Sequence, residues 1–558
     1  MGNEHFKGGV AHVPVLVIGA SLVGLTTALL LRSYGIEVLA VERHDGTAIR
    51  PRAGHFHLRT VEILRSLGLE QEVRAASKRL YPPDGGIINV ESLAGREIES
   101  YFDNLNAGVS AFSPTIRLFL DQDALEPILR AHAEALGARL QYHTEVTSFA
   151  EDGDGVRVEL RDRRTGDQRA VSADYVVAAD GNRSPARQRL GIDMRGHGLL
   201  SNSVTIYFHA GWDLSPLLKG RNQGVQYVTN PVLRGFFRLN RSGNRGFLVV
   251  NIIGDTARPE VVAAYRDAPW ADVADGIDQS RATELLRAAI GVPNMPVEIL
   301  DIAPWRAVAD CATRFSQGRV FLAGDAAHVV PPNGGFGGNT GIQDAHNLAW
   351  KLAAVLKGQA GPALLETYDS ERRPVSALTV EQAYSRYVGR VAPYLGRTDA
   401  QPLVDDFSME VGYRYPDGAA LVEAGDIGVL HAHPRTGTGQ PGSRAPHVFL
   451  ERAGSAVSTL DLYGKRFVAL AGRDGLAWAD AARGAAADAG VDLDAWVIGG
   501  GELADPSGAS GVAYGIGEKG MSLVRPDGFV AWRTSGGADA GAKKRLHEVL
   551  RKVLRRSA

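Results

Sequence analysis

Residues 318–353 constrain the fold more than any other stretch of this chain, because they join an apolar strand to a helix through a loop rich in glycine and proline. The strand VFLAGD ends at Asp325, and Asn339 is placed to begin the helix. The loop keeps side chains out of the way with Pro331, Pro332, Gly334, Gly335, Gly337 and Gly338. A helix start left bare in this manner points free backbone N–H groups and the positive end of the helix dipole at an electron-rich group. Taken alone, the stretch is also compatible with an ordinary loop and helix.

The amino terminus carries the pattern of a dinucleotide-binding crossover. Two apolar strands flank a run of helical periodicity, and the residues that carry the pattern are Gly19, Ser21, Gly24 and Glu42. Glycine permits the tight turn, the helix start accepts a pyrophosphate, and the acidic residue binds ribose hydroxyls. Ser21 replaces the second glycine of GxGxxG, so the backbone approaches a phosphate less closely. The combination favours nucleotide binding over a plain βαβ unit.

Three further signals accompany these two stretches. Arg52 lies in a loop before a predicted helix and suits bidentate contact with a phosphate. Gln122 opens the helix predicted after it, where its amide can reach a phosphate oxygen. Another buried strand ends at Asp180, and Ser184 and Arg187 follow it. Each residue alone is compatible with a surface position, but together they indicate a nucleotide site.

Composition excludes several classes of function. Lys plus Arg is 61 and Asp plus Glu is 63, so the net charge of -2 gives no electrostatic footprint for nucleic acid. The single cysteine, Cys311, excludes internal disulfides, dithiol centres and cysteine metal clusters. The 15 histidines show no H-x-x-x-H or H-E-x-x-H spacing, so no metal site is predicted.

Residues 13–31 are the one stretch apolar enough to suggest a signal or membrane segment. Their central Gly and Ser and the lack of an A-x-A cleavage site favour a buried crossover instead. No other segment reaches spanning length. We therefore expect a soluble cytoplasmic protein, monomeric or homodimeric, with no membrane or nucleic-acid partner. At 558 residues the chain predicts about three domains.

Three motifs resemble those of the flavin-dependent aromatic hydroxylases with the para-hydroxybenzoate hydroxylase fold. They are GASLVG at 19–24, ADG with SxxR at 179–187, and GDAAHxxPPxGGxGxN at 324–339. Within that family, the resemblance is closest to the aklavinone 11-hydroxylase group of aromatic polyketide hydroxylases. This closer likeness is carried by PPNGGFGGNTGIQDAHNLAWKLA, GSRAPHVFL, STLDLYG and GMSLVRPDGFVAWR.

The resemblance covers nearly the whole chain and implies an α/β fold. It implies a Rossmann-like FAD-binding domain of the glutathione-reductase type at 1–190 and 305–395, with a β-sheet substrate domain at 191–304. A linker is predicted at 396–446, in part because its second half is rich in Gly, Pro and Thr. The segment 447–558 is implied to be thioredoxin-like. It contains no cysteine, so we predict that it is redox-inactive.

The implied cofactor is FAD, with NADPH or NADH as reductant and O₂ as co-substrate. Backbone N–H groups of Gly338 and Asn339 are implied to meet the flavin N1 and C2 carbonyl, where a preorganised helix start stabilises the reduced ring. His328 is assigned to packing. The implied cofactor-binding residues are Gly19, Ser21, Gly24, Glu42, Arg43, Arg52, Gln122, Asp180, Asp325, Pro332, Gly335, Gly338 and Asn339.

The implied reaction is monooxygenation of a polyketide-derived, polycyclic phenol or quinone through a flavin C4a-hydroperoxide, an activity of the EC 1.14.13 type. The substrate candidates are Tyr207, Tyr227, Phe237, Pro332 and Phe336. No catalytic base is named, although Arg238 and Arg306 are candidates for polarising a phenol or quinone oxygen. Baeyer–Villiger insertion and oxidative inactivation of an aromatic antibiotic remain alternatives, as does a flavin sensor without enzymatic activity.

Overall fold

The computed structural model of the chain describes residues 5–7, 10–267, 276–393 and 396–557. The domain boundary predicted at residue 395 lies outside these residues. The helices are α1 (Leu22–Ser33), α2 (Leu58–Ser66), α3 (Glu70–Leu80), α4 (Gln122–Ala135), α5 (Pro185–Arg189), α6 (Pro259–Asp267), α7 (Gln279–Ile290), α8 (Phe336–Leu356), α9 (Thr367–Arg390), α10 (Asp406–Val411), α11 (Leu476–Ala489), α12 (Ser510–Ala513) and α13 (Ala542–Val553).

The first sheet carries the amino-terminal crossover. Its strands are β1 (His5–Lys7), β2 (Val10–Ile18), β3 (Val38–Val41), β8 (Arg139–Gln141), β9 (Thr144–Asp152), β10 (Gly155–Asp162), β11 (Gln168–Ala178), β17 (Ser316–Gln317) and β18 (Val320–Leu322). Strands β18, β11, β2, β3 and β8 lie side by side in that order and run parallel. Strands β3 and β18 are buried along their whole length, as apolar strands of a parallel sheet are. The carboxyl ends of the parallel strands meet at one edge, where such folds bind ligands.

The second sheet covers that edge. It is formed by β5 (Ile87–Val90), β6 (Glu97–Phe102), β12 (Met194–Ala210), β13 (Val225–Thr229), β14 (Leu233–Leu239), β15 (Arg245–Ile253), β16 (Val297–Ala312) and β19 (His328–Val329). One face packs on α7 through buried side chains such as Phe208 and Leu285. The opposite face carries Tyr227 and Phe236, which pack with the core of the first sheet. Beneath it, a short pair joins β4 (His55–Phe56) to β7 (Leu118–Phe119).

The carboxyl-terminal part is built around a third sheet and has the expected thioredoxin-like fold. Its strands β22 (Phe467–Ala471), β23 (Leu493–Val497), β24 (Met521–Val524) and β25 (Val530–Thr534) lie in the order β23-β22-β24-β25. Helices α11 and α13 pack together through Trp478 and Leu546. A separate pair joins β20 (Phe449–Arg452) to β21 (Ser455–Ser458).

The stretch 396–446, predicted as a linker, packs against the body of the protein. Glu410 in α10 is buried, and its Oε2 accepts a hydrogen bond from Leu58 N at 3.0 Å at the start of α2. The same carboxylate pairs with Arg117 Nε at 2.8 Å, and Tyr415 nearby in the chain is also buried. These anchors precede the Gly- and Pro-rich half that suggested a linker, so composition alone did not show them.

Helix α1 occupies most of the apolar stretch 13–31 and is the predicted buried crossover, with Leu25 and Leu29 in the core. In the described part of the chain, no helix is both long and apolar enough to cross a membrane.

Candidate active site

The loop before α1 lies directly against the end of β11. Gly19 has φ +98°, and a Cβ atom on it would lie 2.4 Å from the carbonyl oxygen of Ala179. A Cβ atom on Gly24 would lie 1.9 Å from the carbonyl oxygen of Gly19. Only glycine permits contacts this close, so Gly19 brings the first motif against the second, and Gly24 closes the turn of the first motif on itself.

The second motif is tied in turn to the third. Arg187 Nη1 donates to the carbonyl oxygen of Ala326 at 2.9 Å, next to Asp325. The Ser184 hydroxyl caps α5 by accepting from Arg187 N at 2.9 Å. Asp180 Oδ2 accepts from a backbone N–H of α5 at 3.0 Å, and burial raises the pKa of this carboxyl.

The start of α8 crosses the start of α1 at close range. A Cβ atom on Gly341 would lie 2.5 Å from Val23 Cγ2 and 3.0 Å from Gly324 Cα. A Cβ atom on Gly338 would lie 2.9 Å from Leu22 Cδ2. The glycines of α8 therefore let both helix starts and the turn after β18 meet in one crevice.

Helix α8 begins at Phe336, so the prediction that Asn339 begins it is wrong. Gly334 and Gly335 have φ +97° and +70°, and the chain enters the helix directly after them. Asn339 Oδ1 accepts from His57 N at 2.9 Å, which holds a neighbouring segment against the helix. Because the helix starts earlier, Asn339 N–H lies inside it, and the amides left without intrahelical partners extend only to Gly338.

Asp325 lies in the turn after β18 and faces the crevice. Its side chain is accessible to solvent although protein surrounds it closely, as expected of a residue that lines an internal cleft. Burial raises the pKa of its carboxyl, while the charges of His328 and Arg52 act in the opposite direction. Among the described residues, none donates a hydrogen bond to this carboxylate. The crevice therefore holds an acceptor without a protein partner.

Glu42 follows β3, and its carboxylate holds two turns. Its Oε2 accepts from Ala20 N at 2.9 Å, and its Oε1 accepts from His44 N at 3.0 Å. The acidic residue thus lies beside the loop before α1. Arg43 and Arg52 are exposed, and Arg52 is near enough to Asp325 for its charge to act there.

Ser21 and Gln122 both contact a residue that the sequence reasoning missed. Ser21 Oγ donates to Glu126 Oε1 at 2.5 Å, and Gln122 Nε2 donates to the same oxygen at 2.7 Å. Glu126 is fully buried. The sequence could have indicated Glu126 by its spacing from Gln122, the first residue of α4. Residues four apart share one face of a helix.

The sheet face above the crevice is aromatic. Tyr227 on β13 lies opposite Phe236 on β14, and Tyr207 on β12 lies opposite Phe247 on β15. Asn333 Nδ2 donates to Tyr227 Oη at 3.1 Å, which ties the Pro/Gly loop before α8 to the sheet. The predicted Tyr207 and Tyr227 are therefore both on the face that covers the crevice.

Two predicted residues lie on the wrong face of this sheet. Phe237 is fully buried in the core against α7, opposite to Phe236. Arg306 is exposed and follows Trp305, whose Nε1 bonds to Thr205 on the crevice side. Side chains alternate along a strand, so Arg238 shares its face with Phe236 and not with Phe237. Alternation was readable in the sequence and would have selected Phe236.

Arg238 is the buried cation beside the crevice. Its guanidinium carbon lies 3.8 Å from the centre of the Tyr81 ring, and Nη1 lies 3.5 Å from Asp121 Oδ1. Tyr81 Oη donates to Asp121 Oδ2 at 2.6 Å. A Cβ atom on Gly54 would lie 2.0 Å from Arg238 Nη1, so the backbone just before β4 touches the guanidinium. Nη2 has no acceptor among the described residues.

The remaining substrate candidates form the walls. Tyr207 Oη donates to the carbonyl oxygen of Pro51 at 2.7 Å, and burial raises the pKa of this phenol to about 12. Pro332 is half-buried in the loop. Phe336 is 4 % exposed and packs against Met409 and Ala383, so it lies behind the loop.

A buried ion-pair network fixes the turn that carries Asp325. Asp344 Oδ2 accepts from Gly324 N at 3.0 Å and pairs with His328 Nε2 at 2.7 Å. Arg372 Nε donates to Asp344 Oδ1 at 2.8 Å. Burial alone would raise the pKa of Asp344, but the charges of His328 and Arg372 lower it. His328 is thus a buried positioning group. In the described residues, no group of His, Cys, Asp or Glu is arranged to hold a metal ion.

Two family models match the chain. One, described as an FAD binding domain, matches residues 12–383. The other, described as the C-terminal part of aromatic-ring hydroxylases, matches residues 438–557.

Relatives match over almost their whole length. A 4-methyl-5-nitrocatechol 5-monooxygenase from a Burkholderia species is 55% identical over 97% of this chain and 97% of its own. Tetracenomycin A2 monooxygenase-dioxygenase from Streptomyces glaucescens is 39% identical over 98% of this chain and 97% of its own. The crystal structure of aklavinone-11 hydroxylase with FAD and aklavinone superposes with a TM-score of 0.90 at 38% identity, covering 98% of this chain and 99% of that chain.

Proposed function

The chain belongs to the FAD-dependent aromatic-ring hydroxylases, and from that membership we propose that it hydroxylates a polycyclic phenol or quinone of polyketide origin. It is a monooxygenase that uses FAD, O₂ and NADPH or NADH. The observation that carries the proposal is the crevice in which three sequence motifs meet beneath an aromatic sheet face.

The residues of the crevice fit FAD. Gly19 and Gly24 leave no room for a Cβ atom and so form a cradle that a dinucleotide can approach. Asp325 offers a carboxylate without a protein partner, which suits a ribityl hydroxyl. Gly338 offers a free amide at the start of α8, which suits the N1 and C2 carbonyl edge of the flavin.

The other assignments follow from position. Glu42 would hold the adenosine ribose, and Arg43 and Arg52 would supply positive charge to the diphosphate. Pro332 and Gly335 would flank the ring. Asp180, whose pKa is raised by burial, would lie near the cofactor on the side of the second motif. Held by these residues, FAD would supply two-electron transfer from the nicotinamide and the transfer of one oxygen atom of O₂ to the substrate, with the other atom leaving as water.

The protein's own part in the reaction is to orient the substrate and exclude water. Tyr227 and Phe236, whose rings are tilted by 53° to each other, offer aromatic surface to a substrate under the sheet. Arg238 is held by Tyr81 and has one nitrogen without an acceptor, so it suits a phenolate or quinone oxygen. The buried cation favours the ionised phenol, whose ring is the more electron-rich.

A second candidate substrate is a single-ring catechol. The observation that favours it is the identity of 55% with the nitrocatechol monooxygenase, against 38% with the aklavinone hydroxylase. The FAD crevice would serve the same reaction, and the smaller catechol would fill less of the space beneath the second sheet.

Purified holoprotein should be assayed for substrate-stimulated NADPH oxidation with aklavinone and with 4-methyl-5-nitrocatechol, and the products weighed by mass spectrometry. We expect aklavinone to stimulate NADPH oxidation and to gain one oxygen atom with its ring skeleton intact. Stimulation by the catechol alone would select the second candidate. A product with an oxygen inserted into the carbon skeleton would show Baeyer–Villiger chemistry instead.

A further inference from the structure

The far ends of α1 and α8 enclose a cavity that the proposed reaction does not use. Both helices start at the crevice, and the residues that follow their last turns, Tyr34 and Lys357, line the cavity. The carboxyl-terminal part closes it with Lys465, Arg466 and Phe467, where β22 begins. Helix α8 has 21 residues and is therefore about 30 Å long, so the cavity is well separated from the flavin crevice.

Two buried polar side chains that line this cavity have no hydrogen-bond partner among the described residues. They are Tyr34 at its Oη and Trp350 at its Nε1. Tyr34 is 7% exposed and Trp350 is 2% exposed. An indole N–H can only donate. Burial raises the pKa of the Tyr34 phenol, so this hydroxyl stays protonated and can donate as well. Unpaired buried donors are costly, so the cavity calls for an occupant that accepts hydrogen bonds.

Positive charge is in excess at the mouth of the cavity. Lys357 and Lys465 are exposed there, and neither forms an ion pair with a described residue. Arg466 also lines the mouth and pairs with Asp494 Oδ1 at 3.2 Å. The ends of α1 and α8 bring negative dipole charge, which the two lysines offset.

The carboxylates near the cavity already have partners. Asp492, the acid among the described residues that line it, accepts from Gln359 Nε2 at 3.2 Å. The charge of Asp527 reaches Tyr34, but its carboxylate accepts from Arg525 Nε at 2.9 Å. The polar groups left over in the cavity are therefore donors and cations.

The size of the cavity limits the occupant. Its volume is about 30 Å³, and a buried water needs about 10–15 Å³ of such space. The interior thus admits about two oxygen atoms, one for each unpartnered donor, while the rest of the ligand lies at the mouth beside the lysines. A phosphate or carboxylate group meets these conditions, and an aromatic ring does not.

We propose that this cavity binds a small oxyanion, a phosphate or a carboxylate, which accepts hydrogen bonds from Tyr34 Oη and Trp350 Nε1 and is neutralised by Lys357 and Lys465. Tyr34 and Trp350 belong to the part of the chain that forms the crevice, whereas Lys465 belongs to the carboxyl-terminal part. The bound anion therefore fastens the two parts together at the far ends of α1 and α8.

The test is thermal unfolding of holoprotein with increasing inorganic phosphate and, in parallel, increasing acetate. Holoprotein is used so that FAD fills the crevice, where free phosphate could otherwise bind. The pH and the ionic strength are held constant with sodium chloride. At a concentration well above its dissociation constant, one of the two anions should raise the unfolding temperature by at least about 2 °C.

Variants separate this site from the general stabilisation of proteins by phosphate. Tyr34→Phe removes one donor and keeps the ring, and it should weaken binding of the anion about tenfold. Lys465→Gln removes one charge from an exposed position, and it should weaken binding at least about threefold. Both values come from the anion concentration that gives half of the rise in unfolding temperature. If Tyr34→Phe does not fold, Lys465→Gln carries the comparison.

Each variant has a matched control. Tyr368→Phe removes a buried hydroxyl that donates to the carbonyl oxygen of Leu322 at 2.7 Å, far from the cavity mouth. Lys544→Gln removes an exposed charge from α13. Both should keep the full response to the anion. No response in the unaltered protein, or an equal response in all five proteins, would overturn the proposal and leave the cavity to water alone. Because stability is measured and not turnover, that result would not affect the proposed function.

Discussion

Protein atoms surround Asp325 closely, yet no described residue donates a hydrogen bond to its carboxylate. We expect Asp325→Ala to remain folded and to bind FAD about tenfold to a hundredfold more weakly, because it loses a hydrogen bond to a charged acceptor. Flavin absorbance of the purified protein and its circular dichroism measure the two properties. Asp193→Ala, at an exposed position, is the control and should keep its colour. Full flavin occupancy in Asp325→Ala would remove Asp325 from the site.

Arg238 and Arg306 were equal candidates in the sequence, and the structure separates them. Arg238→Leu removes a buried cation beside the crevice, and we expect it to slow product formation about a hundredfold, the size of effect seen when one preorganised donor is removed. Arg306→Leu removes an exposed cation on the other face of the sheet and should leave the rate near that of the unaltered protein. Product formation is measured by chromatography at saturating substrate. Equal rates in the two variants would contradict the role of Arg238.

At the scale of elements, the crossing of α1 and α8 is the contact on which the crevice depends. Gly341→Ala places a Cβ atom 2.5 Å from Val23 Cγ2 and 3.0 Å from Gly324 Cα. We expect this overpacking to destabilise the protein by about 1–3 kcal/mol and to weaken FAD retention, as measured by denaturant unfolding and flavin absorbance.

Gly389→Ala in α9 is the matched control, since nothing lies within 4 Å of the added Cβ atom. Replacing a helical glycine by alanine without a clash should raise the free energy of unfolding by about 0.5–1 kcal/mol. If Gly341→Ala and Gly389→Ala change the unfolding free energy and the FAD retention equally, the close crossing of α1 and α8 does not limit packing there.

Local sequence patterns predicted some elements of the fold correctly and others not. The strands and glycines of the crossover were predictable because they follow local rules of periodicity and turn geometry. The start of α8 was misplaced because the side chain of Asn339 hydrogen-bonds to His57, far away in the sequence. Glu126 was missed for a similar reason, since its partners Ser21 and Leu22 lie about a hundred residues earlier.

At the scale of the whole molecule, a buried ionic network joins the third sheet to α8 and α9. Arg525 Nη1, after β24, donates to Glu371 Oε1 at 2.6 Å, and Lys351 Nζ on α8 donates to Glu371 Oε2 at 2.8 Å. All three side chains are completely buried. The carboxyl-terminal part therefore stabilises the helix whose start faces the crevice, which gives the cysteine-free domain a structural role. Composition could not show this, because the partners lie far apart in sequence.

This network makes stability depend on pH. Burial would raise the pKa of Glu371, but the charges of Arg525 and Lys351 lower it from 4.5 to about 2. A carboxyl with a lowered folded-state pKa contributes stability above its unfolded value, and that contribution is lost as pH falls from 4.5 toward 2. We expect Glu371→Gln to be less stable at neutral pH and to show a shallower decline in unfolding free energy over this range. Glu518→Gln, at an exposed position, should decline as the unaltered protein does.

We expect this chain to transfer one atom of O₂ to an aromatic ring from a flavin held in the crevice. The most direct measurement is to supply oxygen-18 gas and NADPH to yellow holoprotein with the aromatic substrate and to weigh the product. The product should carry one oxygen-18 atom on an intact ring skeleton, and NADPH should be oxidised only when substrate is present. An unlabelled product, or NADPH oxidation that yields hydrogen peroxide and unchanged substrate, would contradict it.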